Sequence, residues 1–196
     1  MHWKRSSDEL SRVHVLFSEP ADRRGSAFLL VEQDDRTDMF VYLPKLQRVR
    51  RVTGRMMAGS FLGSDFSYEQ FERTVGLSKD TGVERSPDAE YRGRAVYVIV
   101  HHPEATEGDF EKVVTSIDQE TCVALKVDYF KADRVRRVLE ADPQFLSQEG
   151  ERWYAKKLVM RDLRRGSETR LVIDEIELDI EIPRSVFTER HLEQGH

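Results

Sequence analysis

The side chains best able to do chemistry are few, and their spacing argues against a catalytic or metal centre. Of six histidines only His101 and His102 adjoin. They end the apolar run Ala95–Val100, which reads as a strand, where neighbouring side chains point to opposite faces and cannot share an ion. No cysteine or further histidine stands nearby at metal-ligand spacing. Cys122 is the one cysteine, so no intramolecular disulfide is possible. It follows a turn at the start of an expected strand without the electropositive setting of a thiolate nucleophile, and reads as a small structural residue. Gly59-Ser60-Phe61-Leu62-Gly63 has the glycines of a nucleophile elbow, but Phe61 stands where that motif needs serine. Asp65 and Glu69 could be an acid pair. The better expectation is that Asp65 caps a helix start and Glu69 lies in its first turn, where the helix dipole favours acids. No glycine-rich phosphate loop follows a strand. No catalytic residue, metal ligand or cofactor is therefore assigned, and an enzyme is not expected.

Two other groups of residues invite a binding role. Arg48, Arg50, Arg51 and Arg55 form a basic cluster in a chain of net charge −5. On a strand, Arg48 and Arg50 share a face and Val49 points the other way. The cluster is either a solvated face or a contact for an anionic head group or acidic partner. The acidic balance of the whole chain argues against general nucleic-acid binding. The second group lies between Gly54 and Gly76, where Met56, Met57, Phe61, Leu62, Phe66, Tyr68 and Phe71 follow no alternation.

The elements that must position these residues are mostly strands. Val13/Val15/Phe17 and Val123/Leu125/Val127/Tyr129 alternate with period two, and Glu175 to Ile182 does so most cleanly. Phe28–Val31, Met39–Leu43 and Ala95–Val100 are apolar on both faces and read as covered strands. Asp34–Thr37, Asp118–Thr121 and Arg164–Ser167 look like hairpin loops. Nine or ten strands joined mostly in sequence describe an antiparallel meander. Ser78–Arg94 is polar, contains Pro87, and reads as a long exposed loop. Ser67 with Gln70 three residues on resembles a capping box opening a helix over 68–75, with Tyr68, Phe71 and Val75 on one face. With 196 residues the chain suits a single domain over 1–196. No apolar run approaches the length of a membrane helix, and no signal peptide is visible.

A resemblance adds to this reading. Tyr42-Leu43-Pro44-Lys45-Leu46-Gln47-Arg48-Val49-Arg50-Arg51, followed by Ser60-Phe61-Leu62-Gly63-Ser64-Asp65-Phe66-Ser67-Tyr68-Glu69, resembles the outer membrane lipoprotein-sorting protein family of the LolA-like superfamily. Gln70 stands where an acid is usual in that pattern. The segment Ile182–Leu192 resembles the family's closing stretch. The resemblance implies a mainly β fold with a few short helices: a strongly curved antiparallel sheet forming an incomplete β-barrel with a helical lid or plug. It also implies a periplasmic carrier or chaperone for lipid or lipoprotein acyl chains, and association in some cases with an exporter of the resistance-nodulation-division type. Against that pattern the chain is expected to start after the signal peptide, the N-terminal helix and the first strand.

Together these readings lead to a specific expectation. Met56, Met57, Phe61, Leu62, Phe66 and Phe71 line or cover an apolar cavity whose strands contribute Val41, Leu43, Val98 and Val100. Gly59 and Gly63 would hinge the cover, and the adaptable thioethers of Met56 and Met57 suit varied contents. Arg48, Arg50 and Arg51 would meet a head group or a partner. The rival expectation is an accessory subunit that docks on an exporter without carrying lipid.

Overall fold

The computed structural model describes residues 1–5, 10–75, 82–103 and 110–194. It is antiparallel β throughout, in two compact units: Met1–Met57 with Asp179–His196, and Ala58–Leu178. Neither unit's sheet closes on itself among the described residues.

The first unit holds β1 (His2–Arg5), β2 (Ser11–Leu16), β3 (Ala27–Glu32), β4 (Thr37–Leu43) and β5 (Arg48–Arg51), a meander in chain order. The expectation that Phe28–Val31 is covered on both sides holds, and the register shows how. Ala27 and Leu29 pack with Phe40, Tyr42 and Val49 against Ile182, Phe187 and Leu192 of the chain's closing stretch. That stretch ends in a short helix, Glu189–Gln194. On the opposite face Val13, Phe28, Leu30, Met39 and Val41 are all buried. Residues separated by one position thus serve different sides, as a pleated strand requires.

The second unit is built on a seven-stranded sheet. Its members are β6 (Val83–Tyr91), β7 (Arg94–His101), β8 (Lys112–Asp118), β9 (Ala124–Lys131), β10 (Arg134–Ala141), β13 (Lys157–Asp162) and β14 (Ser167–Val172), each paired with the next. A separate hairpin, β11 (Leu146–Glu149) with β12 (Arg152–Ala155), projects between β10 and β13. The helix α1 (Tyr68–Thr74) precedes the sheet.

Three expectations need correction. Ser78–Arg94 is not a loop, because Val83–Tyr91 forms edge strand β6, while 76–81 lie outside the described residues. An edge strand exposed on both sides has no apolar periodicity to announce it, and Pro87 falls where the pairing with β7 is interrupted between Ser86 and Ala89. Conversely, Glu175–Ile182 is not a strand despite its alternation. Asp179 takes a left-handed conformation (φ 57°), which breaks the extended run, and Ile180 is exposed while Ile182 is buried. The strands number fourteen among the described residues, not nine or ten, several of them only four residues long.

Candidate functional site

The register of the second unit's sheet places two adjacent rows of side chains on one face. One row runs His101, Val113, Tyr129, Arg137, Asp162, Ser167; the next runs Ile99, Thr115, Val127, Leu139, Met160, Thr169. The segment from Asp65 to Arg73 crosses that face, tied to it at three points. At β14, the Ser167 Oγ and Thr169 Oγ1 hydroxyls donate to the Asp65 carboxylate at 2.6 and 2.8 Å. The Asp65 N–H in turn donates to Thr169 Oγ1 at 2.9 Å. At β10, Arg137 Nη1 donates to Gln70 Oε1 at 2.7 Å. At β7, Arg73 Nη1 lies 3.4 Å from His101 Nδ1.

Asp65 therefore does not cap the helix. Ser67 alone does, in a capping box: Ser67 Oγ accepts from Gln70 N–H, and Gln70 Oε1 accepts from Ser67 N–H. The Asp65 carboxylate is committed to hydroxyls more than a hundred residues away, which no local spacing could announce. Glu69 lies in the first turn, as expected.

Between Ser60 and Ser67 the chain makes a closed loop. Phe61 N–H donates to Phe66 C=O, Ser64 N–H to Phe61 C=O, and the Ser60 and Ser64 hydroxyls to Ser64 and Phe61 carbonyls. Leu62 (φ 49°) and Gly63 (φ 87°) are its tip. Positive φ at both central residues is the pattern of a type I′ turn, which Asn-Gly normally fills. Leu62 bears the Cβ clash that costs roughly 1–2 kcal/mol in this region. Phe61 stacks on Phe71 (4.2 Å, 11°) and meets the edge of Tyr68. Phe61, Phe66, Tyr68 and Phe71 are all buried.

Among the other expected residues, Val98 and Val100 belong to the opposite side of the sheet. Val100 shares its row with Val114, Asp128, Val138, Arg161 and Glu168, and Val98 with Ser116, Lys126, Glu140 and Val159. That side carries the ion pairs Lys126–Asp128, Arg161–Glu140 and Arg161–Glu168. Val98 and Val100 thus do not share a face with the segment that carries Phe61, Phe66 and Phe71. In the first unit, Val41 and Leu43 lie on the sheet face away from the closing helix, with Val41 buried and Leu43 half-buried. Met57 is half-buried and Met56 is exposed. Arg48 and Arg50, opposite Leu43 and Val41 on β5, are exposed, and no carboxylate among the described residues pairs with either. Arg51 is different: it pairs with Asp38. Gly59 has an ordinary negative φ, so of the two expected hinges Gly63 alone uses glycine's freedom.

Electrostatics around Arg137 are tight. Its Nε donates to Asp162 Oδ2 at 3.2 Å, and its guanidinium lies 5.8 Å from the Phe110 ring centre. Burial pushes the Asp162 carboxyl up, but the Arg165 N–H, the Arg137 guanidinium and the Arg164 N–H outweigh it and hold the group below its ordinary value. No group of histidine, cysteine or carboxylate among the described residues could hold a metal ion. His101, the last residue of β7, is buried, and His102 after it is exposed. Cys122 is not packed into the fold: it is exposed at a left-handed turn position (φ 58°), between β8 and β9.

One family, described as "uncharacterized protein", has a model that matches residues 9–194. The chain belongs to that family. No curated protein matches it. Among solved structures it is similar to an outer membrane lipoprotein-sorting protein domain from Vibrio parahaemolyticus (TM-score 0.86, 23% identity, covering 97% of this chain and 81% of that one). It is equally similar to a DUF1329 family protein from Desulfovibrio piger (TM-score 0.87, 22% identity, 97% and 81% covered). A LolA superfamily protein from Nitrosomonas europaea follows (TM-score 0.70, 17% identity, 93% and 77% covered). The fold is LolA-like, and the resemblance drawn from Tyr42–Glu69 is borne out in it.

Proposed function

We propose that this protein is a periplasmic carrier that shelters the acyl chains of a lipid or lipoprotein. One observation carries the reading: an aromatic segment lies across a sheet face with an apolar strip of Val127, Leu139 and Met160, and is held there by polar ties at β14, β10 and β7 rather than by burial alone. Polar ties exchange for water at a modest net cost of about 0.5–3 kcal/mol each, so such a cover can detach without unfolding the sheet. An acyl chain entering beneath it gains roughly 0.8 kcal/mol for each buried CH₂. Leu62 supports the same reading. An apolar side chain is kept at a strained turn tip where Asn would be relaxed, as happens where a contact matters more than stability. Phe61, Leu62, Phe66 and Phe71 are the proposed cover, and Val127, Leu139 and Met160 the proposed floor. The likeness to a lipoprotein-sorting domain, a protein of that stated role, points the same way.

In the first unit, Arg48 and Arg50, with which no carboxylate among the described residues pairs, are proposed as contacts for an acidic partner. Native mass spectrometry and lipid extraction of purified protein test the carrier reading. Co-purified acyl lipid, or saturable uptake of cis-parinaric acid, is expected. Protein that is free of lipid and ignores the fatty acid would overturn it.

A further inference from the structure

The polar group at the centre of the covered face is incompletely matched. Gln70 is wholly buried. Its Oε1 accepts from two donors, Ser67 N–H and Arg137 Nη1, which fixes which end of the amide is oxygen. The Gln70 Nε2 amide, with two N–H groups, has no partner. Beside it, Arg137 donates through Nε to Asp162 and through Nη1 to Gln70. Asp162, the one carboxylate on Arg137, also accepts from the Arg164 and Arg165 N–H groups at 3.0 Å each, so its charge is shared among three donors. Gln70 Nε2 is thus a buried donor short of an acceptor among the described residues, next to an arginine whose surroundings include Phe110, Tyr129 and Leu139, all buried. A buried donor without an acceptor is costly, and the deficit has a definite chemical sign. What completes it is an acceptor, preferably an anionic oxygen.

We infer that Gln70 Nε2 and Arg137 receive the carboxylate of a long-chain fatty acid, with its alkyl chain along the Val127–Leu139–Met160 row. This rests on the carrier reading and adds a polar end to it. Register supports the direction, since Arg137 and Tyr129 form one row of the face and Leu139, Val127 and Met160 the row beside it. A carboxylate can bridge a guanidinium edge and an amide NH₂, whereas a methyl ester offers a neutral carbonyl alone.

The test compares cis-parinaric acid with its methyl ester by fluorescence titration of the whole chain, in the wild type and in Gln70→Glu. In that variant a carboxylate replaces the amide, neutralises Arg137 and repels a second anion. The wild type is expected to bind the acid about tenfold more tightly than the ester, in keeping with a charge-assisted hydrogen bond. Gln70→Glu should lose that preference, binding the acid no better than the ester, and melt no lower than the wild type. Acid and ester bound equally by the wild type, or an acid preference that survives Gln70→Glu, overturns the head-group inference and leaves the carrier reading standing. Binding of neither ligand overturns both. Competition by acetate at low millimolar concentration would also overturn it, by assigning the site to small carboxylates.

Discussion

Replacing Asp65 by alanine tests whether the aromatic segment is tied down where the structure ties it. The substitution removes two hydroxyl-to-carboxylate hydrogen bonds, of 2.6 Å from Ser167 and 2.8 Å from Thr169. Bonds to a charged group contribute roughly 1.5–3 kcal/mol each. Ser167 is exposed and its hydroxyl turns to water once released, so its share lies at the low end. Thr169 is half-buried but still accepts the N–H of residue 65. The net loss is then about 2–3 kcal/mol, and for a chain of this length that lowers the melting temperature by about 4–12 °C. Asp65→Asn keeps one acceptor and should lose about half as much. Hydrogen exchange read by mass spectrometry should show faster labelling of peptides within 61–74, with the β8–β9–β10 strands unchanged. An unaltered melting temperature together with unaltered exchange in 61–74 would refute the anchoring role.

Phe71→Ala removes the ring stacked on Phe61 and should cost about 3–5 kcal/mol, seen as a lower urea midpoint. Leu62→Asn should relax the strained turn and raise the unfolding free energy by about 0.5–1 kcal/mol while weakening fatty-acid uptake; uptake as strong as wild type would detach Leu62 from function. Acid should act through two groups. The Arg94 guanidinium, outweighing burial, and the Thr121 hydroxyl and N–H hold the Asp118 carboxyl down at about 2. A depressed carboxyl stabilises above its unfolded value of 3.8 and loses that as pH falls towards 2, so the stability gap between wild type and Asp118→Asn should close between pH 4 and 2. Burial first, then the neighbouring His191 and His2, pushes His14 down to about 4 from 6.5. A base held neutral in the fold gives stability that is present above pH 6.5 and lost between 6.5 and 4, and thermal melts of His14→Phe should lack that acid limb.

The sequence carries local interactions plainly and distant ones hardly at all. Ser67 and Gln70 declare the helix start because the capping box is closed within four residues. The hairpin loops at 34–37, 118–121 and 164–167 are legible for the same reason. Asp65 looks like a helix cap from its place in the chain, whereas its partners lie on β14. Arg137 was overlooked altogether: one arginine among the charged residues of β10 carries no pattern, and its role exists through Gln70 and Asp162. Register also decides what periodicity cannot. Val98 and Val100 come from one apolar run, yet pairing puts them in rows that run on to Lys126 and Asp128, on the side of the sheet away from the aromatic segment. Glu175–Ile182 has the best alternation in the chain and no partner strand among the described residues.

The tie between Asp65 and Thr169 spans 104 residues. During synthesis at about 5–20 residues per second, the aromatic segment is made some 5–20 s before the strand that fastens it. The strands of the sheet floor are likewise synthesised in chain order from β7 onward, with β14 last. The β14 fastening can therefore form only after nearly all of this unit has been made, and until then Phe61, Phe66 and Phe71 lack that anchor. A late truncation before Ser167 would leave six strands of the sheet and an aromatic flap with its β14 anchor gone.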